Sequence, residues 1–155
     1  MSNYTTYSFN DINAIISPPG FGSASTIGNG IGDINISFSR DNTQHDPSAD
    51  GSVMVSKIVA NEGSISISCQ QTSQLHQYLK SLFNHMMAAS TSIWAAITIT
   101  ISSPNGLQDY VVANGVSFQK RSDQPYQVQG QMVTWTFMAT NIQYPAGGNV
   151  FQLVQ

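Results

Sequence analysis

The stretch Ser64-Ile65-Ser66-Ile67-Ser68-Cys69 decides the fold class, because polar and apolar side chains alternate along it without a break. Alternation with period two places successive side chains on opposite faces of a β-strand. One face of this strand is therefore apolar and suited to a core, whereas the other face carries serine hydroxyls. Cys69 continues the apolar face, where a buried thiol packs as a small hydrophobic group and stays inert.

The same alternation recurs along the chain and predicts a mainly β protein. It is clearest in residues 33–39, 97–102 and 133–138. Further strands are expected where turn-forming pairs bound shorter apolar segments, at residues 9–16, 53–60, 107–113 and 116–120. Asn105-Gly106 gives the clearest hairpin signal, because this pair accepts the positive φ angles of a tight turn, and Asn114-Gly115 is a second candidate turn.

One segment changes to a helical period. Leu75, Leu79, Leu82, Phe83 and Met86 recur at spacings of three and four, which predicts a single amphipathic α-helix over residues 74–87. Either of the two hydroxyl residues just before it can cap the first turn by accepting a backbone N–H bond. The apolar face of the helix is expected to lie on a sheet or to plug the end of a barrel.

Two stretches lack alternation, residues 20–32 and residues 40–52. The second is longer than a hairpin connection requires, and it holds almost no apolar side chain before Val53. Long loops without secondary structure of their own are usually functional or disordered. We therefore expect an arm that contacts neighbouring subunits, with the candidate contact residues Arg40, Asp41, Asn42, His45, Asp46 and Asp50.

The composition favours a protein whose surface is covered by copies of itself. A chain of 155 residues is expected to form one domain, residues 1–155, with an extended apolar tail at 147–155. Only 8% of its residues are charged, against roughly a quarter in ordinary soluble domains. Neutral polar groups can be buried at an interface when they are hydrogen-bonded, whereas unpaired charges cannot.

The basic residues are too few for tight DNA binding by one subunit. The net charge is −3, with five Lys and Arg residues, whereas a duplex binder neutralises roughly 6–10 phosphates. For the pair Lys120-Arg121, a solvated strand end is favoured over a phosphate contact.

No pattern in the sequence marks a catalytic, cofactor or metal site, so we do not expect an enzyme. His76 and His85 are nine residues apart, which places them about half a turn apart around a helix and prevents chelation. Both are expected to be solvated or at an interface. The glycine-rich segment 28–32 lacks the Lys and Ser/Thr of a phosphate loop, and the aspartates of 40–52 do not match the EF-hand spacing.

The single cysteine and the start of the chain bear on localisation. Cys69 has no partner for an intramolecular disulfide, which fits synthesis in the cytosol. Residues 1–11 lack the basic start and apolar run of a signal peptide, and no apolar run approaches the ~18 residues of a membrane span. A secretion signal and a membrane anchor are therefore not expected.

Taken in order, several segments resemble a family of phage tail tube proteins. They are the strand 34–38, the loop through 46–51, the strand 64–68, the tetrapeptide Gln70-Gln71-Thr72-Ser73 before the helix, and the closing Asn141-Ile142-Gln143-Tyr144-Pro145-Ala146-Gly147-Gly148-Asn149. The resemblance extends over residues 9–149.

The resemblance implies a β-sandwich or half-barrel of two packed antiparallel sheets with one flanking helix. It also implies hexameric rings stacked into a hollow tube inside a contractile sheath, in a phage tail or a phage-derived injection particle. The implied partners are further copies of the chain, the tail sheath protein, and the baseplate and tape-measure proteins. DNA would pass through the lumen without specific binding, and neither a catalytic residue nor a cofactor would be needed.

The strands that flank the long loop have largely uncharged outer faces, so their polar residues are the candidates for the lumen. These are Asp33, Asn35, Ser37, Ser64, Ser66 and Ser68.

The competing hypothesis is a β-sandwich module that binds carbohydrate or a receptor, as part of a tail fibre or baseplate. Trp94, Tyr126 and Tyr144 could stack on sugars. The simpler interpretation is that Trp94 and Tyr144 close the edge of the core.

Overall fold

The computed structural model describes residues 7–26, 30–103 and 110–145. Within these ranges one α-helix, α1, covers Gln74–Ala88, and two short 3-10 turns cover Phe9–Asp11 and Thr91–Ile93. The strands are β1 (Asn13–Ser17), β2 (Ala24–Ser25), β3 (Ile31–Phe38), β4 (Thr43–Pro47), β5 (Val53–Lys57), β6 (Gly63–Gln70), β7 (Ile97–Ser102), β8 (Tyr110–Lys120) and β9 (Met132–Gln143).

Seven strands form one antiparallel sheet in the order β2-β1-β7-β8-β9-β6-β3, and this sheet curls into a half-barrel. The other two, β4 and β5, pair only with each other. The predicted fold class, a β-sandwich or half-barrel with one flanking helix, is thus confirmed as a half-barrel, and the second sheet is this small hairpin. No helix in the described ranges combines the length and the apolarity needed to cross a membrane.

The core lies between the apolar face of the sheet and α1. Ile65 and Ile67 are fully buried, and the serines between them face the other side of the sheet. Ile67 is in register with Ile34 on β3 and with Trp135 on β9, at the centre of the buried row. The alternation in the sequence therefore reflects real burial on one face.

The helix matches its prediction, ending one residue later than expected. The Ser73 hydroxyl caps it by accepting a hydrogen bond from the backbone N–H of His76, at 3.2 Å. Buried apolar side chains of α1 lie on the sheet, namely Leu75, Leu79, Leu82 and Met86. Phe83 is half-buried and packs edge-on against Phe118, with ring centroids 5.3 Å apart.

His76 was expected to be solvated or at an interface, and this prediction was wrong. Its side chain is 1% exposed and contacts Trp135 on β9 and Gln124 in the connection between β8 and β9. Burial of the neutral ring is possible because both ring nitrogens find hydrogen-bond partners. A helical period shows that a residue faces the sheet, but it does not show which side chains will form hydrogen bonds with that residue.

Asn114-Gly115 was predicted to turn the chain, but β8 continues through it. Between the pairs Ile97–Val116 and Ile99–Ala113, these two residues stand opposite the single residue Thr98, which is a β-bulge. Gly115 has φ of 62°, and a Cβ there would collide with the side chain of Thr140. The same property that suits glycine to a turn thus suits it to this bulge.

Other boundaries also differ from prediction. Residues 9–11 form a 3-10 turn ahead of β1, and the supposedly unpaired stretch 20–32 contains β2 and the start of β3. The predicted hairpin turn at Asn105-Gly106 and the tail 147–155 lie outside the described residues. The strands on either side of that turn, β7 and β8, do pair antiparallel.

Candidate assembly surfaces

The segment 40–52 was predicted to be an unpaired loop, and this was wrong. Its residues Thr43–Pro47 form β4, which pairs antiparallel with β5 in a hairpin that we call the arm (residues 43–57). All of β4 is exposed, and so is β5 apart from the half-buried Ser56. Alternation in a sequence arises when one face of a strand is buried, so an exposed hairpin leaves no such pattern.

The base of the arm is tied to the rest of the chain by Asn42. Its backbone oxygen accepts a hydrogen bond from the N–H of Ile58 at 2.9 Å, and its side-chain amide donates to the oxygens of Ile58 and Ala60 at 3.0 and 3.1 Å. Beside it, Arg40 and Glu62 form an ion pair of 2.6 Å. Because these side chains are 68% and 44% exposed, water screens the two charges and the pair adds little stability.

The tip of the arm is ordered by Asp50. Its carboxylate accepts hydrogen bonds from the Ser48 hydroxyl at 2.5 Å and from the backbone N–H of Ser52 at 3.0 Å. These bonds, first of all the one from Ser48, lower the pKa of Asp50 to about 2. The tip therefore carries a negative charge at neutral pH.

The remaining candidate contact residues spread along the arm and its base. His45 stands opposite Val55 and Asp46 opposite Met54, whereas Asp41 is exposed just before Asn42. The structure therefore does not gather the six residues into one cluster.

Sequence reasoning missed the most unusual property of the arm, its exposed apolar strand. Val53, Met54 and Val55 are 52%, 63% and 61% exposed. They were assigned to an ordinary strand, yet three consecutive apolar residues without alternation place apolar groups on both faces. Exposed apolar surface of this kind usually marks an interaction site.

The six lumen candidates come together on the outer face of β3 and β6, away from α1. Register pairs them in three rows across the two strands, Asp33 with Ser68, Asn35 with Ser66, and Ser37 with Ser64. The hydroxyls of Ser37 and Ser64 are 3.0 Å apart, and those of Ser68 and Thr134 on β9 are 2.9 Å apart. We call this outer face of β3, β6, β9 and the end of β8 the polar wall.

The polar wall continues to an open edge of the sheet. β3 is the last strand on its side, and β2 at the other edge is only two residues long. An eight-residue edge strand offers unpaired N–H and C=O groups to another chain.

The aromatic residues of the competing sugar-binding hypothesis do not share one pocket. Tyr144 packs on Phe38 with ring centroids 5.6 Å apart, and both line an open cleft of about 550 Å³ at the base of the arm. Trp94 is half-buried against Phe83 instead, and Tyr126 is exposed in the β8–β9 connection; neither lines this cleft.

Metal-ligating groups are dispersed in the described part of the chain, where no three His, Cys, Asp or Glu side chains are placed to hold one ion. Cys69 is buried in the core, and its burial raises the pKa of the thiol.

A family model described as the bacteriophage PhiTE tail tube protein matches residues 4–147. The chain belongs to this tail tube family. The match covers both surfaces described above, the arm and the polar wall. Among curated proteins, no sequence matches this family member significantly.

Solved structures share the fold of the tail tube chain at low sequence identity. A chain of an extracellular contractile injection system, PVC, in its sheath/tube terminator in the extended state, aligns with a TM-score of 0.57 and 13% identity over 94% of this chain and 100% of that one. A chain of the tube-terminating cap of the anti-feeding prophage aligns with a TM-score of 0.56 and 12% identity, over 94% of this chain and 95% of that one. A chain of the 6-fold symmetrised baseplate of the anti-feeding prophage aligns with a TM-score of 0.55 and 10% identity, over 94% of each chain.

Proposed function

We propose that this tail tube protein is the structural subunit that self-assembles into stacked hexameric rings, forming the inner tube of a contractile tail through which DNA is delivered. The observation that carries the proposal is the polar wall of a half-barrel that ends at an open edge strand. The family match supplies the context of a tail tube, and the likeness to a 6-fold symmetrised assembly supports the hexamer.

The open edges explain why a ring would form. A half-barrel that exposes β3 on one side and a short β2 on the other can be closed by the corresponding edges of further copies. Contacts between two different surfaces repeat from copy to copy and close into a ring when the rotation allows it. The polar wall then lines the shared barrel, and α1 lies outside it.

The arm explains how neighbouring copies would be held. Its three exposed apolar residues on β5 contribute hydrophobic stabilisation only when another surface covers them and removes them from water. We assign this covering surface to a neighbouring subunit, and the Asn42 bonds at the base hold the arm ready for that contact.

The chemistry of the wall suits a conduit. On β3, β6 and β9 its three rows carry mainly hydroxyl and amide side chains, with Met138 opposite Ser64, and Asp33 is the sole charged residue in these three strands. Neutral groups hold a phosphate backbone weakly compared with Lys or Arg. DNA can therefore move past the wall without being trapped.

The remaining features of the proposal follow from this role. The partners are other copies of the chain, the tail sheath, baseplate and tape-measure proteins, and the DNA in transit. The protein works in the virion after assembly in the host cytoplasm, and it acts without catalysis, cofactor or metal.

Replacement of the arm tests the proposal. We expect that exchanging residues 43–57 for a short Gly-Ser turn, with Asn42 and Ile58 retained, leaves the sheet folded and abolishes assembly. Circular dichroism reports the fold, and size exclusion with negative-stain microscopy reports rings and tubes. Normal tubes from this variant would contradict the role of the arm, and a wild-type chain that stays a monomer or trimer would favour the sugar- or receptor-binding module.

A matched pair of single substitutions removes the ambiguity of a large deletion. Met54 on the arm and Met87 on α1 are 63% and 61% exposed. Met54→Ser is expected to raise the protein concentration needed for assembly, whereas Met87→Ser should leave it unchanged when this chain is the only protein present.

A further inference from the structure

Charged residues are almost absent from the seven-stranded sheet. Among its strands within the described residues, Asp33 on β3 and Lys120 at the end of β8 are the two that carry charge. Each is exposed, and neither forms an ion pair with another described residue.

The register of the sheet puts Lys120 on the polar wall. A β-bulge between Phe118 and Lys120 shifts the register by one residue, so that Lys120 stands opposite Thr136 on β9. Thr136 stands opposite Ser66 on β6, and Ser66 stands opposite Asn35 on β3. Residues directly opposite each other on neighbouring strands share a face. Lys120 thus ends the middle row of the wall, while the next residue, Arg121, lies over the Phe83 ring on the helix side at 4.9 Å.

Asp33 is too distant to neutralise Lys120. Three strand spacings of roughly 4.8 Å and two residues along the strand separate them, which gives roughly 16 Å. This exceeds the Debye length of about 8 Å at physiological salt, so the two charges are largely screened from each other. The groups nearest to Lys120 along its row are the neutral Thr136 and Ser66.

We infer that Lys120, for which the sequence alone favoured a solvated strand end, is a phosphate-contact site, one for each subunit, that binds the backbone of nucleic acid inside the tube without reading its sequence. This inference rests on the proposed tube and adds a defined point of contact to it. In a ring, every copy would present its Lys120 at the same height, so that single weak contacts act together. DNA would then be held loosely and released by salt.

The test measures binding of a short fluorescent DNA duplex to assembled tubes by co-sedimentation at several salt concentrations. Lys120→Gln is expected to weaken binding several-fold at low salt and to flatten the dependence of binding on salt, because fewer counterions are released. Lys120→Arg should retain both properties. Lys80→Gln is the matched control, since it removes the same charge from α1, on the other side of the sheet, and should change neither property.

Other outcomes separate this inference from the proposed function. Tubes of Lys120→Gln that bind DNA as tightly as wild type, with the same salt dependence, overturn the inference and leave the tube proposal intact. An equal loss in Lys80→Gln also overturns it, because binding would then depend on net charge outside the lumen. A wild-type chain that forms no tubes overturns both.

Discussion

The indole Nε1–H of Trp135 donates a hydrogen bond to Nδ1 of His76 across 3.1 Å, in the buried layer between β9 and α1. The other ring nitrogen, Nε2, lies 3.3 Å from Oε1 of Gln124, to which it can donate. His76 is therefore a neutral imidazole that accepts on one side and donates on the other. This arrangement joins the helix, the sheet and the β8–β9 connection at one point.

The first prediction is that stability falls when the solution is acidified through the range in which histidine titrates. Burial is the main cause that lowers the pKa of His76 below its usual value near 6.5. Between the lowered pKa and pH 6.5, the unfolded chain binds more protons than the folded one. The stability that the neutral ring contributes is therefore fully present above pH 6.5 and is lost as the pH falls toward the lowered pKa. Thermal unfolding between pH 8 and pH 5 measures this loss.

Three variants test the role of His76. His76→Gln should flatten the pH dependence in this range, whereas His45→Gln, on the exposed arm, should leave it as in the wild type. Trp135→Phe removes the N–H donor and should cost about 1–3 kcal/mol by leaving the acceptor on His76 unpaired. An unchanged slope in His76→Gln would show that other groups govern the acid sensitivity.

The second prediction concerns the buried row of the sheet. Ile67→Asp should destroy the fold at a cost of several kcal/mol, because Ile67 is 0% exposed and packs beside Ile34 and Trp135, with no partner for a carboxylate. Ser66→Asp changes the adjacent residue on the opposite face and should remain folded. Denaturant unfolding compares the two, and a cooperative transition in Ile67→Asp would contradict the assignment.

The third prediction concerns passage through the lumen. Ser66→Lys and Ser68→Lys should leave tubes intact but slow DNA ejection, because the added cations attract each phosphate that passes. The same substitution at an exposed serine of α1, Ser81→Lys, is the control for added charge outside the wall. Equal ejection kinetics in all assembled particles would place the wall away from the DNA.

Period and burial explain which elements could be predicted from the sequence. β6 and α1 were predicted correctly because each buries one face against the core, so that hydrophobic residues recur with the period of the element. The rows of the polar wall followed from the same pattern, since the polar residues of such strands must share the other face.

The arm and the buried histidine could not be predicted for the opposite reason. The residues of β4 are exposed on both faces, so no burial imposed a pattern on them. The hydrogen bond between Trp135 and His76 joins residues 59 positions apart, and only the three-dimensional fold brings them together. The bulge at Gly115 could not be predicted either, because a tight turn and a β-bulge can both require a glycine with positive φ.

Cryo-electron microscopy of purified wild-type assemblies tests whether this chain forms a tube lined by the polar wall. We expect hollow stacked rings in which the Ser66 side of the sheet lines the lumen, α1 lies outside, and each arm contacts a neighbouring copy. Particles that stay monomeric, or assemblies in which the Ser66 side faces outward, would contradict it.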